Sequence, residues 1–225
     1  MATITRAPLV VRLNDRGEND SNSRLAHHGW FYYWRAEGIL SYRGSLAYDF
    51  LHLAAAHPAV REINQRAEPI EWYNGREWET YRARYEIVLV TTLPGVFRYV
   101  DVEVLTSADL RKDRDKYRHI RREYREAGRH FLVFTEKTIL VLPRLTNAML
   151  VLCQAGEGLV SEHDLERVRS VGDEYVSLTL NALVASGVLP YDRAYAAALN
   201  LVARGELFFR TSEEFNGDTK LFGRG

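Results

Sequence analysis

The sequence predicts an α+β protein: a small mixed sheet flanked by helices, followed by a smaller and mostly helical domain. Three observations predict it. Between residues 68 and 104, apolar side chains alternate with polar ones in runs separated by Asn-Gly and Pro-Gly, the period-2 pattern of strands. On either side, residues 44–56 and 108–127 place apolar side chains three and four apart, as helices that cover a sheet do. From Thr146 the helical period recurs in short segments that end in one strand-like run, so the layering changes there.

In chain order, PLVVRL (8–13) reads as an edge strand and NDRGENDSNS (14–23) as a polar loop. The run HHGWFYYWR (27–35) alternates aromatic side chains. It predicts a strand that buries one face, with base stacking as the functional alternative. Leu46, Phe50, Leu51, Leu53 and Ala54 lie at helical spacing over 44–56, and His57-Pro58 stops that helix. EPIEWY (68–73), YRARYEIVLV (81–90) and FRYVDVEV (97–104) read as strands, with turns at Asn74-Gly75 and Pro94-Gly95. A long helix over about 108–127 ends at Gly128 and leads into the strand HFLVF (130–134). Pro143-Arg144 reads as a linker.

Beyond it, NAMLVLCQ, SEHDLERVRS with a capping-box start at Ser161 and Asp164, DEYVSLTLNALVAS (173–186) and YDRAYAAALNLVAR closed by Gly205 are helical. ELFFR (206–210) is a final strand. Several short helices with one small strand predict a winged-helix-like domain. Residues 211–225 lack periodicity and predict an extended tail, with Phe215, Leu221 and Phe222 as anchors for a protein partner.

Composition narrows the class. A chain of 225 residues, 46% hydrophobic and 12% aromatic, buries a substantial core. Lys plus Arg equals Asp plus Glu at thirty each, so only the arrangement of charge can point to a polyanionic partner. The single cysteine, Cys153, excludes an internal disulfide and a cysteine-based zinc site; within NAMLVLC it reads as a buried thiol. No apolar run approaches the roughly 20 residues that span a bilayer. MATITRAPLVVRL carries neither a long apolar segment nor a small-residue cleavage site. These features predict a soluble protein with no membrane partner, cytoplasmic, or virion-associated if phage-encoded.

The phrases SYRGSLAYDFLHLAAAHPAVREINQRAEPIEW, YEIVLV, VDVEV and DKYRHIRREYREAGRHFLVFTEKTI follow one another in an order that resembles the TnsA-type transposon endonuclease family. The resemblance covers roughly residues 40–140, and LNLVARGELFFR is similar to the family's second domain. It implies a restriction-endonuclease-like fold, Mg²⁺-dependent cleavage of one DNA strand, and a transposase and an ATPase regulator as partners. Such chemistry needs carboxylates on the first helix and two strands to hold Mg²⁺, and a lysine to stabilise charge at the reacting phosphate.

The sequence departs from that pattern. The helix glutamate's place falls at Leu46 or Ala47, and Asp49 points elsewhere on the helix. The aspartate's place falls at Tyr85 or Glu86, so Glu86 is the candidate; Glu103 matches the second strand carboxylate, and Leu105 holds the lysine's place. Removing one preorganised electrostatic group costs about 10²–10³ in rate. A catalytically impaired centre follows, with Glu86 and Glu103 as residual catalytic and Mg²⁺-binding candidates. An active Mg²⁺ endonuclease would need Lys112 or an arginine of the next helix to take the lysine's place.

On that helix, Arg111, Arg114, Arg118, Arg121, Arg122, Arg125 and Arg129 fall within an arc of about 100°, apart from Lys112 and Lys116. Arginine's planar fork of donors matches phosphate, so this face is the candidate contact with the DNA backbone; pairing with acidic residues is the alternative. By contrast, residues 173–186 hold no Lys or Arg, which suits protein docking better than a DNA groove. Adjacent His27 and His28 cannot form an i, i+4 metal pair, His52 and His57 read as packing or capping residues, and Gly156-Glu157-Gly158 reads as a turn. The expected organisation is an N-terminal arm (1–40), a nuclease-like domain (41–143), a winged-helix-like domain (144–210) and a tail (211–225). The expected role is a DNA-contacting assembly component of a transposition-like complex. The alternative is a phage head-completion or neck protein built on the same fold.

Overall fold

The computed structural model describes residues 28–33, 35, 38–65, 67–93, 95–174 and 178–223, with the side chains of 172–174 excepted. The strand expected over 8–13, the loop 14–23, His27 and Trp34 lie outside these residues.

The described chain opens with a hairpin, β1 (His28–Tyr32) and β2 (Ile39–Arg43), followed by helix α1 (Ser45–Ala56) and strand β3 (Val60–Asn64). A second hairpin, β4 (Ile70–Tyr73) and β5 (Trp78–Tyr81), precedes the long strands β6 (Tyr85–Val90) and β7 (Phe97–Val104). Helices α2 (Ser107–Lys112) and α3 (Arg114–Glu126) then lead to β8 (His130–Phe134). The central sheet has the order β3-β6-β7-β8, antiparallel except for the parallel pair β7–β8. A parallel pair needs a crossover, and α2 with α3 supplies it.

Period 2 decides what each face carries. Tyr85 and Ile87 of β6 and Val100, Val102 and Val104 of β7 turn toward α1, whose Phe50, Leu51 and Ala54 pack on them. The intervening residues of β7 face the opposite side. There Ile120 and Tyr124 of α3 join Phe131 of β8 and Ile70, Trp72 and Tyr81 of the second hairpin in a separate core. Because both faces are covered, Asp101 and Glu103 are buried although they are charged.

Three expected elements take another form. The run 68–73 is a strand, but it pairs only with β5 outside the central sheet; the sheet's first strand is Val60–Asn64. The run 81–90 divides at residues 82–84, where the chain passes from hairpin to sheet. The helix over 108–127 kinks at Asp113 (φ −105°, ψ 31°). Asp113 N donates to Asp109 O at 2.9 Å and closes α2, and Tyr117 N donates to Asp113 O at 3.1 Å and opens α3, so Asp113 belongs to both turns.

After β8 come α4 (Glu136–Ile139), α5 (Arg144–Cys153), α6 (Glu162–Glu174), β9 (Leu178–Thr179), α7 (Leu180–Ala185), α8 (Tyr191–Arg204), β10 (Leu207–Phe208) and β11 (Lys220–Gly223). The expected linker is the start of α5, and Leu152 of that helix packs against both the α1 core and the C-terminal core. The single helix expected over 173–186 is three elements. Its middle becomes β9 because Leu178 and Thr179 pair with β11, and the Thr179 hydroxyl then caps α7 by accepting from Ala182 N at 3.1 Å.

The expected tail is not extended. β11 lies between β10 and β9, and Phe215 and Leu221 are buried in the C-terminal core. Asn147 of α5 holds the approach: its amide donates to the carbonyls of Thr211 (3.2 Å) and Glu213 (2.7 Å) and accepts from Phe215 N (3.1 Å). Its anchors pack internally: Phe215 meets the Tyr195 and Phe209 rings, and β11 completes the three-stranded sheet. Among the described residues no helix is long and apolar enough to cross a membrane.

Candidate functional site

The β6–β7 register sets Glu86 directly across from Asp101, and Glu103 stands two residues further along the same face of β7. Three carboxylates therefore share the α3 side of the sheet, one more than the sequence nominates. Each is already engaged. Asp101 accepts two bonds from Arg129, from Nε at 3.0 Å and from Nη2 at 2.7 Å. Glu103 accepts the Tyr81 hydroxyl at 2.6 Å on Oε2 and Val104 N at 3.0 Å on Oε1, with Arg84 Nε 3.4 Å from Oε1. Glu86 accepts from Asn64 Nδ2 at 3.1 Å.

Burial sets the protonation of this layer. The Tyr81 phenol is driven far above its ordinary range by burial and then by the Glu103 charge, so it stays a donor. Tyr117 and Tyr124 are pushed up to about 12, chiefly by burial. Burial also raises the Asp101 carboxyl, and Arg129 opposes that rise.

The residues present do not fit the Mg²⁺ centre that the resemblance implies. A hard cation needs several carboxylate oxygens open to it, and here Arg129 engages Asp101, Tyr81 and Arg84 engage Glu103, and Asn64 engages Glu86. Among the described residues, no three His, Cys, Asp or Glu side chains are grouped to hold a metal ion. Asp49 cannot join them, because α1 covers the opposite face of the sheet. Leu105 lies just past β7, where its N–H donates to Phe134 O at 3.2 Å. Lys112 is exposed at the end of α2, while Lys116 places Nζ 5.8 Å from the Trp72 ring and 5.9 Å from the Tyr81 ring.

The arginine face is narrower than the sequence predicts. Arg129 lies beyond α3 and turns inward to Asp101, and the kink at Asp113 separates Arg111 from the rest. Arg114, Arg118, Arg121, Arg122 and Arg125 remain on α3 as an exposed strip, since Ile120 and Tyr124 anchor the other side of the helix. Arg118 pairs with Asp115 at 3.3 Å and Arg122 with Glu126 at 2.7 Å. Among the described residues, Arg111, Arg114, Arg121 and Arg125 have no carboxylate partner.

His52 and His57 have structural roles. His52 packs edge-on against Phe31 and Tyr48, with Nδ1 2.9 Å from Tyr48 O. His57 ends α1 and accepts from Ala59 N at 3.2 Å; burial lowers its pKa, which keeps the ring neutral. Cys153, expected to be buried, is exposed: α5 turns Val151 inward and Cys153 outward.

One pairing escapes a linear reading, and one face does not. Asp101 and its partner Arg129 are 28 residues apart, and only the parallel β7–β8 pairing brings them together. The first hairpin buries Phe31, Tyr33, Leu40 and Tyr42 and leaves Trp30, Tyr32 and Ile39 on an open outer face. The aromatic alternation in the sequence does signal that face. A scan against protein-family models matches none of them, and a search of curated proteins finds no match.

Proposed function

We propose that this chain is a TnsA-like, nuclease-fold protein that has exchanged metal-dependent cleavage for a buried ion-pair network and contacts duplex DNA through the arginine strip of α3. The element order supports the fold reading: one helix, three antiparallel strands, a helical crossover and a parallel fourth strand. The single observation that carries the DNA reading is the set of arginines without carboxylate partners on an outward helix face, anchored from behind by Ile120 and Tyr124. Contacts of this kind bind the phosphate backbone with strong salt dependence and little base preference.

The test is the triple variant Arg114→Ala, Arg121→Ala, Arg125→Ala. It should weaken duplex binding equally on unrelated sequences and flatten the salt dependence of log K by about 0.9 for each phosphate that the variant no longer neutralises. Unchanged affinity and slope, with circular dichroism intact, would rule the strip out.

The C-terminal part supports a protein-docking role in a larger assembly. Its short helices and three-stranded sheet are compatible with a winged-helix-like unit. Yet α7, which lies within the segment 173–186, sends Leu180 and Leu183 into the core and carries no basic side chain. A second reading, a phage head-completion or neck component, is favoured by the exposed run Leu140, Val141 and Leu142 between the two parts. Replacing Leu140 and Leu142 with Ser should abolish co-sedimentation with such an assembly and leave DNA binding unchanged.

A further inference from the structure

We propose that the cavity between the central sheet and the C-terminal helices binds one amphipathic carboxylate, a fatty-acid-like molecule whose alkyl chain fills the cavity and whose headgroup meets Arg144. The cavity measures about 470 Å³, within the roughly 300–1,000 Å³ of small-molecule pockets. Its walls come from three directions: Val102 and Phe134 of the sheet, Phe50 of α1, and Val151, Val202 and Phe208 of the C-terminal part. Packed interiors leave few voids larger than a water molecule, so an apolar space of this size is suited to an apolar guest.

Depth decides the shape of that guest. Val102 is 0% and Phe50 2% exposed, so the floor lies beyond the reach of another protein's folded surface. Leu132, at 49%, lies where the cavity meets solvent, and a flexible chain can enter there.

Charge decides the headgroup. The polar side chains on the wall are His57, Arg144 and Thr211, and among the described residues no carboxylate lines it. Burial keeps the His57 ring neutral, so the charge is Arg144. Its Nη2 donates to Thr138 O, its Nε is buried without a hydrogen-bond partner, and no carboxylate of the described residues pairs with it. A desolvated cationic donor without a partner is costly, and a carboxylate satisfies it through a charge-assisted bond. Arg144 is also the first residue of α5, an end that no side chain caps and that carries positive potential. A neutral lipid or an apolar peptide would fill the cavity and leave Nε orphaned. One cation matches one negative charge, so a carboxylate suits the site better than a phosphate monoester with nearly two.

This site goes beyond the DNA reading and stands without it, since the cavity lies on the α1 side of the sheet and the arginine strip on the other. The experiment is isothermal titration calorimetry of the full chain with octanoate, decanoate, dodecanoate and dodecanol, each below its aggregation threshold. Wild type should bind dodecanoate at one molecule per chain, with affinity rising about 4-fold for each added methylene. Dodecanol should bind about 10-fold to 150-fold more weakly, the worth of a hydrogen bond to a charged group. Arg144→Met should erase that difference and leave duplex binding unchanged. Ala148→Phe, which fills the cavity from α5, should abolish dodecanoate binding without lowering Tm. Should Arg144→Met lose its fold by circular dichroism, the dodecanoate–dodecanol difference of the wild-type protein carries the headgroup test. The proposal is overturned if wild type fails to bind dodecanoate, if dodecanol binds equally well, if affinity ignores chain length, or if neither variant weakens binding. Co-sedimentation with phosphatidylcholine vesicles would assign the cavity to a membrane-held acyl chain, and a dimer that Ala148→Phe dissociates would assign it to a second copy; either result overturns it likewise.

Discussion

Replacing Arg129 with Ala isolates the strongest electrostatic contact of the sheet. The Asp101 side chain is 2% exposed and holds the guanidinium through two bonds, while Arg129 also donates to Glu68 O at 3.1 Å and lies 5.0 Å over the Tyr124 ring. Removing the cation leaves a buried carboxylate without its counter-charge, which costs about 3–5 kcal/mol. At about 2–4 °C per kcal/mol for a chain of this size, Tm should fall by about 6–20 °C. Differential scanning fluorimetry measures it, with Arg121→Ala as an exposed control whose Tm should not move.

Two further arms identify the cause. Converting both partners, Asp101→Asn with Arg129→Met, removes the uncompensated charge and should cost less than Arg129→Ala alone. The pH dependence should follow the carboxyl. Burial already raises Asp101 in the folded protein, and Arg129 opposes the rise, so the variant's carboxyl rises further. A raised folded-state value means stability that is present below the ordinary carboxylate range and lost as pH climbs through the raised value. The deficit of Arg129→Ala should therefore be larger at about pH 8 than at about pH 5. A loss within about 0.5 kcal/mol, the size of an ordinary surface substitution, or a deficit that ignores pH, would refute this account of the pair.

The other predictions concern the centre and the C-terminus. With Mg²⁺ or Mn²⁺, supercoiled plasmid should stay uncut, because Asp101 and Glu103 are held by Arg129, Tyr81 and Arg84. Metal-dependent nicking that vanishes in Glu103→Gln would overturn that expectation. Phe215→Ala should cost about 3–5 kcal/mol, as for a buried phenylalanine elsewhere, since the ring is 5% exposed among Tyr195 and Phe209. Chemical denaturation measures it, and a stability like wild type would mean that the C-terminal segment does not pack as described.

The sequence by itself determined the elements whose pattern is strong and local. Strands 97–104 and 130–134 stand where alternation places them, and α1 ends at His57 as the His-Pro pair requires. The arginine face on α3 and the two-faced aromatic strand were legible for the same reason: a period of 3.6 or 2 is written in neighbouring residues. Tertiary structure alone decided the rest. Val60–Asn64 carries two apolar side chains and a register shift, too little pattern to mark it as the sheet's first strand. Leu178 and Thr179 look helical in sequence and become a strand only because β11, about 40 residues further along the chain, pairs beside them. The candidate centre was half visible. Glu103 and Glu86 were nominated through the family resemblance, but the fact that an arginine beyond α3 and a tyrosine of the second hairpin occupy the carboxylates depends on long-range pairing. Such contacts join groups distant in the chain, and no local period encodes which of many arginines will reach a buried carboxylate.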